Sequence, residues 1–313
     1  MAPVHAVRYK GRMKRLLAAF ALALALPALQ AQEANWPPER ILGSARLAPD
    51  LQYPADVSTF GVFSGPKMAL YKPEGNGPFP ALVLQHQCGG LRNGNWQNMS
   101  VFEWAKTAVG RGYVVLVVDS LGPRSVDSVC MGPKGGVTFG RGTRDALLAG
   151  RHLGTLPFVD KERIAMAGYS WGAMNALVAS SALWGGTLGE GFRFRAAVAM
   201  YPGCFRLTPP TAPAYEILNK DVDRPLLVLM GGQDTETPAA ECLGKLEPMK
   251  AAGAPVSWHL YEQATHCWDC KNLNNFSKVD SRGNRVVYHY DEAALKDSEQ
   301  RMFEFLDKTM PRP

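Results

Sequence analysis

The 313-residue sequence has no apolar run approaching the roughly 20 residues that a membrane-spanning helix needs. It has no internal repeat, no low-complexity tract and no linker-like stretch that would divide it. These absences argue against a helical integral membrane protein, a solenoid and a string of small modules. Disorder is excluded by composition, since 46% hydrophobic residues against 20% charged ones are enough for a packed core. Acidic residues are missing altogether from positions 1–31, and that absence matters most for the charge balance.

Those 31 residues carry Arg8, Lys10, Arg12, Lys14 and Arg15, then a short apolar run from Leu16 to Leu26, then Pro27 and small residues up to Ala31. A basic segment, a short apolar segment and a terminal small residue make a secretory signal peptide. Translation is expected to start at Met1 or at Met13, and cleavage is expected after Ala31, which would leave residues 32–313 as one domain. Five of the 34 basic residues leave with the signal and none of the 28 acids, so the +6 of the full chain becomes +1. Nucleic acid is therefore not expected as a partner, and the mature chain has no membrane span. Localisation is expected to be periplasmic or secreted.

Residues 32–56 read as a polar arm, and Phe60–Tyr71 followed by the turn residues Pro73–Pro78 reads as the start of a hairpin. Short apolar runs follow at Ala81–Gln85, Tyr113–Val118, Ile164–Ala167, Ala196–Met200, Leu226–Met230 and Val256–Tyr261. Helical periodicity occupies Val101–Val109, Thr143–Leu156, Met174–Leu183 and Ala239–Ala252, and Asp291–Lys308 reads as a closing amphipathic helix. Continuous apolar strands alternating with helices predict an α/β fold: a mostly parallel, doubly wound sheet flanked by helices. In such sheets chemistry collects beyond the carboxyl ends of the strands.

Three chemically active residues stand at those ends. Gly168-Tyr169-Ser170-Trp171-Gly172 matches G-x-S-x-G between a strand and a helix, the context in which that motif forms a sharp nucleophile turn. Asp234 follows the strand at 226–230 and His266 the strand at 256–261, giving the order Ser, Asp, His. A serine needs a base and the base an orienting acid, so Ser170, His266 and Asp234 are the expected catalytic set. Asp119 is the alternative acid; Asp269 is too near His266 in sequence to orient it. His152, His259 and His289 are expected to be structural or solvent-facing. The backbone N–H groups of Trp171 and Cys88 are the expected oxyanion donors, with Gln87 the alternative to Cys88.

His86-Gln87-Cys88-Gly89-Gly90, Asp119-Ser120-Leu121-Gly122-Pro123-Arg124, Gly168–Gly172, Gly231–Pro238 and Tyr288–Ala294 together resemble the dienelactone hydrolase family of the α/β-hydrolase superfamily, over about Phe63 to Leu306. The resemblance implies an α/β-hydrolase fold and cleavage of ester or lactone bonds in a small-molecule substrate, without metal or organic cofactor. The family's prototypes carry a cysteine nucleophile and a glutamate beside the oxyanion hole; Ser170 and Gln87 stand there in this chain. An ordinary Ser-His-Asp acyl-transfer cycle is the implication. Arg124 is the counterpart of the arginines with which the family binds a substrate carboxylate, a structural ion pair being the alternative. Gln87 and Trp268 are further expected substrate contacts, with Trp171 and Trp268 as an aromatic wall or plain core residues.

Six cysteines allow 15 pairings. Strand order suggests Cys88–Cys130 and Cys204–Cys242, which leaves Cys267–Cys270 beside His266. A zinc site at His266–Cys270 lacks a second ligand pair, and the Cys-x-x-Cys does not open a helix as a redox motif would. The rival functional classes are a non-catalytic binding protein on the same fold, and within enzymes a peptidase or polyesterase.

Overall fold

The computed structural model describes residues 68–93, 96–209 and 213–311. The expected signal peptide at 1–31 and the arm at 32–56 lie outside the described residues. Among the described residues seven strands form the main sheet: β1 (Met68–Tyr71), β2 (Phe79–Gln85), β3 (Val114–Val118), β4 (Val159–Tyr169), β5 (Ala197–Met200), β6 (Leu226–Gly231) and β7 (Val256–Tyr261). Their spatial order is β1-β3-β2-β4-β5-β6-β7. All neighbours are parallel except β1, which runs antiparallel to β3 from Met68 opposite Val118 to Tyr71 opposite Val115.

The expected hairpin is therefore corrected. The turn residues between β1 and β2 do reverse the chain locally, yet β3 lies between the two strands and takes the pairing. β3 is Val-Val-Leu-Val-Val, buried throughout, and such a strand needs a partner on each side. Local turn chemistry is silent about that competition.

Among the described residues six α-helices cover the sheet: α1 (Met99–Gly110), α2 (Phe139–Leu153), α3 (Trp171–Ser180), α4 (Ala182–Leu188), α5 (Ala239–Ala251) and α6 (Glu292–Thr309). The single helix expected over Met174–Leu183 is two, because Ser181 leaves helical geometry and its hydroxyl caps α4 by accepting from Trp184 N–H at 3.1 Å. Asn98, Thr138 and Asp291 cap α1, α2 and α6 in the same way, each worth roughly 1 kcal/mol. Among the described residues no helix is long and apolar enough to cross a membrane.

The core runs along both faces of β2–β6, with Leu82, Leu84, Leu116, Leu147 and Leu153 buried. Each such side chain contributes about 1.5–3 kcal/mol. From β2 the chain winds to β3 on one side, then crosses to β4 on the other. The crevice between the ends of β2 and β4 is thus a topological switch point, where Gln85 is registered with Gly168.

Candidate active site

β4 ends at Tyr169 and α3 begins at Trp171, so Ser170 alone makes the turn. Its backbone sits at φ 52°, ψ −109°, a conformation costing a non-glycine residue about 1–3 kcal/mol. The flanking glycines make the turn possible. A Cβ on Gly168 would stand 2.0 Å from the Gly172 carbonyl oxygen, and one on Gly172 would stand 2.2 Å from that of Gln85.

His266 and Asp234 arrive from the loops after β7 and β6. The Asp234 carboxylate Oδ2 accepts from His266 Nδ1–H at 2.7 Å. That assignment of the proton leaves Nε2 as an acceptor, and the Ser170 hydroxyl lies 2.9 Å from it. Asp234 is fixed in turn, since Oδ1 accepts from Glu236 N–H at 2.9 Å and Thr237 N–H at 2.8 Å. The Thr237 hydroxyl donates to Oδ2 at 2.7 Å. Ser170, Asp234 and His266 are 4%, 4% and 3% exposed, so this chain of bonds is largely shielded from water. Burial opposes charge on the imidazole, but the negative charges of Asp234 and Glu236 outweigh it and hold the His266 pKa above its ordinary value.

The expected residues divide as follows. Trp171 opens α3, where backbone N–H groups have no intrahelical acceptor, and Cys88 borders the same crevice as Ser170. Gln87 lines the crevice too, donating to Tyr201 OH at 3.2 Å. Arg124 is corrected: its side chain is 0% exposed and gives Asp145 two hydrogen bonds of 2.6 and 2.9 Å, and the Ser120 carbonyl a third of 2.6 Å. It ties the loop after β3 to α2 and does not face the crevice. Trp268 is corrected likewise, being enclosed against Tyr201 and Tyr261 with no exposed surface. Asp119 accepts from Leu121 and Gly122 N–H and so shapes its own loop.

Buried His86 has its Nδ1 2.6 Å from the Gln87 carbonyl, accepts the Ser120 N–H at 3.1 Å, and stacks on Trp171. Burial lowers its pKa, and with Nε2 accepting the Ser120 N–H the ring braces the loop after β2. His259 packs edge-on against Tyr261, and exposed His289 has its Nδ1 3.1 Å from the Asn275 side-chain oxygen.

All six cysteines pair as expected, Cys88–Cys130, Cys204–Cys242 and Cys267–Cys270. Cys267, Asp269 and Cys270 group together among the described residues, but both sulfurs are spent in the disulfide. Asp269 accepts from Trp104 Nε1–H and Tyr201 OH, each at 2.8 Å. These donors are engaged within the protein and leave the group poorly suited to a metal ion.

Sequence reasoning missed Tyr201, Glu236, Thr237, Lys278 and Tyr288. Tyr201 presents its ring edge-on to His266 at 4.8 Å between centroids, and Tyr288 lies at 5.4 Å. Glu236 and Thr237 stand in the Gly231–Pro238 segment, whose density of acceptors after a strand was the available signal. Lys278 has no such context.

Two clefts meet at Ser170 and share the Cys88–Cys130 disulfide. One, of about 480 Å³, is lined by Gln87, Ser100, His266, Leu273, Phe276 and Tyr288. The other, of about 660 Å³, is lined by Phe139, Trp171, Met174, Phe205, Tyr215 and Glu236. A hollow of about 680 Å³ between Glu216 and Pro255 includes none of these residues and lies toward the starts of β6 and β7.

A parallel sheet with an elbow serine at its switch point, bonded through histidine to aspartate, defines an α/β-hydrolase fold. The dienelactone hydrolase family model matches residues 67–310, and the chain belongs to that family. A Salmonella typhimurium protein, provisionally named a carboxymethylenebutenolidase, is 28% identical over 147 residues, 47% of this chain and 46% of that protein. The match thus spans about half the length of that relative. The esterase Est2 of Thermogutta terrifontis, solved with butyrate bound, superposes with a TM-score of 0.58 at 17% identity over 80% of this chain and 92% of its own. MGS-M1, an α/β-hydrolase enzyme from a Medee basin deep-sea metagenome library, gives 0.53 at 19% over 77% and 92%. At these identities the two structures speak for the fold alone.

Proposed function

We propose that the protein is an exported serine hydrolase of carboxylic esters or lactones. The observation that carries this reading is the continuous chain Ser170 Oγ, His266, Asp234 with links of 2.9 and 2.7 Å at a strained elbow. His266 takes the Ser170 proton as the hydroxyl attacks the carbonyl carbon, and Asp234 holds the tautomer that leaves Nε2 free to do so. The N–H groups of Trp171 and Cys88 stabilise the oxyanion. The protonated imidazole then gives its proton to the departing alcohol, and water releases the acyl group.

Two clefts meeting at the nucleophile suit a substrate with a group on each side of its scissile bond, one in each hollow. Small acyl groups are the first to test, as butyrate and propionate occupy the Thermogutta esterase. Export is supported by residues 1–31 and by three disulfides, which persist in oxidising compartments.

The test is hydrolysis of short-chain p-nitrophenyl esters with labelling by a fluorophosphonate. Wild type is expected to turn over and to be labelled at Ser170; Ser170→Ala is expected to lose at least about 10³-fold in kcat and all labelling. Equal inertness of the two proteins, with no label on Ser170, would leave a non-catalytic binding protein as the better reading.

A further inference from the structure

Asp234 and Thr237 occupy the Nδ1 side of His266. A second carboxylate approaches the opposite nitrogen. Glu236 Oε2 stands 3.9 Å from Nε2, the atom that also faces the Ser170 hydroxyl at 2.9 Å. That separation is too long for a hydrogen bond but admits an oxygen atom about 2.8 Å from each partner.

The carboxylate is held in place from both sides. Oε2 accepts the Tyr288 hydroxyl at 2.6 Å and Oε1 accepts the Lys278 ammonium at 2.8 Å. Its own backbone N–H binds Asp234, so the acid and the second carboxylate are set by one turn. Burial works against its charge, yet His266, Lys278 and the Tyr288 hydroxyl together keep the Glu236 pKa below its ordinary value. Each carboxylate oxygen accepts two hydrogen bonds, so Oε2 has capacity beyond Tyr288. The side chain is 14% exposed and lines the larger cleft together with Ser170.

Resting on the reading of Ser170 as nucleophile, we infer that Glu236 positions the water that hydrolyses the acyl-enzyme. One O–H of that water points to Nε2 and the other to Oε2, which leaves a lone pair for the acyl carbon. A water held by Nε2 alone would rotate about that single bond, and fixing orientation is a large part of the advantage of a bound reactant. The water oxygen bonds to the acyl carbon while its proton passes to Nε2. Collapse of the tetrahedral intermediate breaks the bond to Ser170 Oγ, which receives that proton from Nε2, and the carboxylic acid leaves. Glu236 stays ionised and transfers no proton.

The test is pre-steady-state hydrolysis of a p-nitrophenyl ester by Glu236→Ala and Glu236→Gln, at a pH above the acid limb of each variant. Glu236→Ala is expected to keep acylation within about threefold and to slow deacylation tenfold or more. A burst of p-nitrophenol equal to the enzyme concentration then precedes turnover, and kcat and KM fall together while kcat/KM is kept. Glu236→Gln retains an acceptor oxygen and is expected to recover part of the deacylation rate. Fluorophosphonate labelling of Ser170 at near the wild-type rate shows that the nucleophile and base remain assembled. Equal losses of kcat and kcat/KM in both variants, or deacylation at the wild-type rate in Glu236→Ala, would overturn the inference. Loss of labelling in the Gln variant would do the same, assigning Glu236 to activation of the serine. Failure of wild type itself to be labelled would instead overturn the reading of Ser170.

Discussion

Replacing Arg124 by methionine separates two physical roles that sequence alone left together. The guanidinium and the Asp145 carboxylate are both 0% exposed and meet in a bidentate pair at 2.6 and 2.9 Å. Removing one partner of such a pair leaves a charge in a medium that solvates it poorly, at about 3–5 kcal/mol. The Ser120 carbonyl also loses a 2.6 Å hydrogen bond, so the upper part of that range is expected. At about 2–4 °C per kcal/mol for a domain of this size, the melting temperature of Arg124→Met falls by roughly 10–20 °C. The double variant Arg124→Met/Asp145→Leu removes both charges and is expected to recover most of the loss, since well-packed apolar replacements of buried pairs are often neutral. Urea unfolding of the four proteins in a double-mutant cycle should give a coupling of at least about 2 kcal/mol. KM of the folded single variant should stay within about threefold of wild type. A tenfold or greater rise in KM with stability unchanged would show that Arg124 holds substrate and would refute the structural assignment.

Two further outcomes follow from the site. Because the His266 pKa lies above its ordinary 6.5 and only the neutral imidazole accepts the Ser170 proton, kcat/KM should fall as pH drops through a value above 6.5. Glu236→Gln removes one of the two negative charges responsible, so its acid limb should move to lower pH; an unmoved limb would contradict the electrostatic account. Removing Cys204–Cys242, which closes 38 residues, should cost about 3–4 kcal/mol on the loop-entropy estimate. Activity at 25 °C should be largely kept in Cys204→Ala/Cys242→Ala, as measured by thermal melts beside ester hydrolysis. A loss of activity without loss of stability would instead tie this bridge to the cleft.

Legibility in the sequence followed the range of the forces involved. Strands β2 to β7 were readable because each contains an apolar run bounded by turn residues, a pattern set within a few positions, although β4 begins at Val159 with the charged residues Asp160 to Arg163, which that pattern does not mark. Ser170, Asp234 and His266 were readable because strand ends and a five-residue motif mark them, and the cysteine pairs because strand order limits which loops can meet. The failures share a cause. The β1–β2 hairpin failed on competition from β3, and Trp268 failed because a position beside His266 in sequence points into the core.

Residues 68–311 thus carried in their own order the α/β alternation, the strand-to-helix turn at Ser170 and the Ser, Asp, His sequence, since periodicity and glycine placement are local properties. Tertiary structure alone decided that Arg124 is spent on Asp145, 21 positions away, and that Glu236 reaches the outer nitrogen of His266. It likewise decided that Lys278 and Tyr288 clamp that carboxylate from another part of the chain. A charged side chain takes its role from whatever counter-charge the folded chain brings within a few ångströms. No spacing in the sequence encodes that distance.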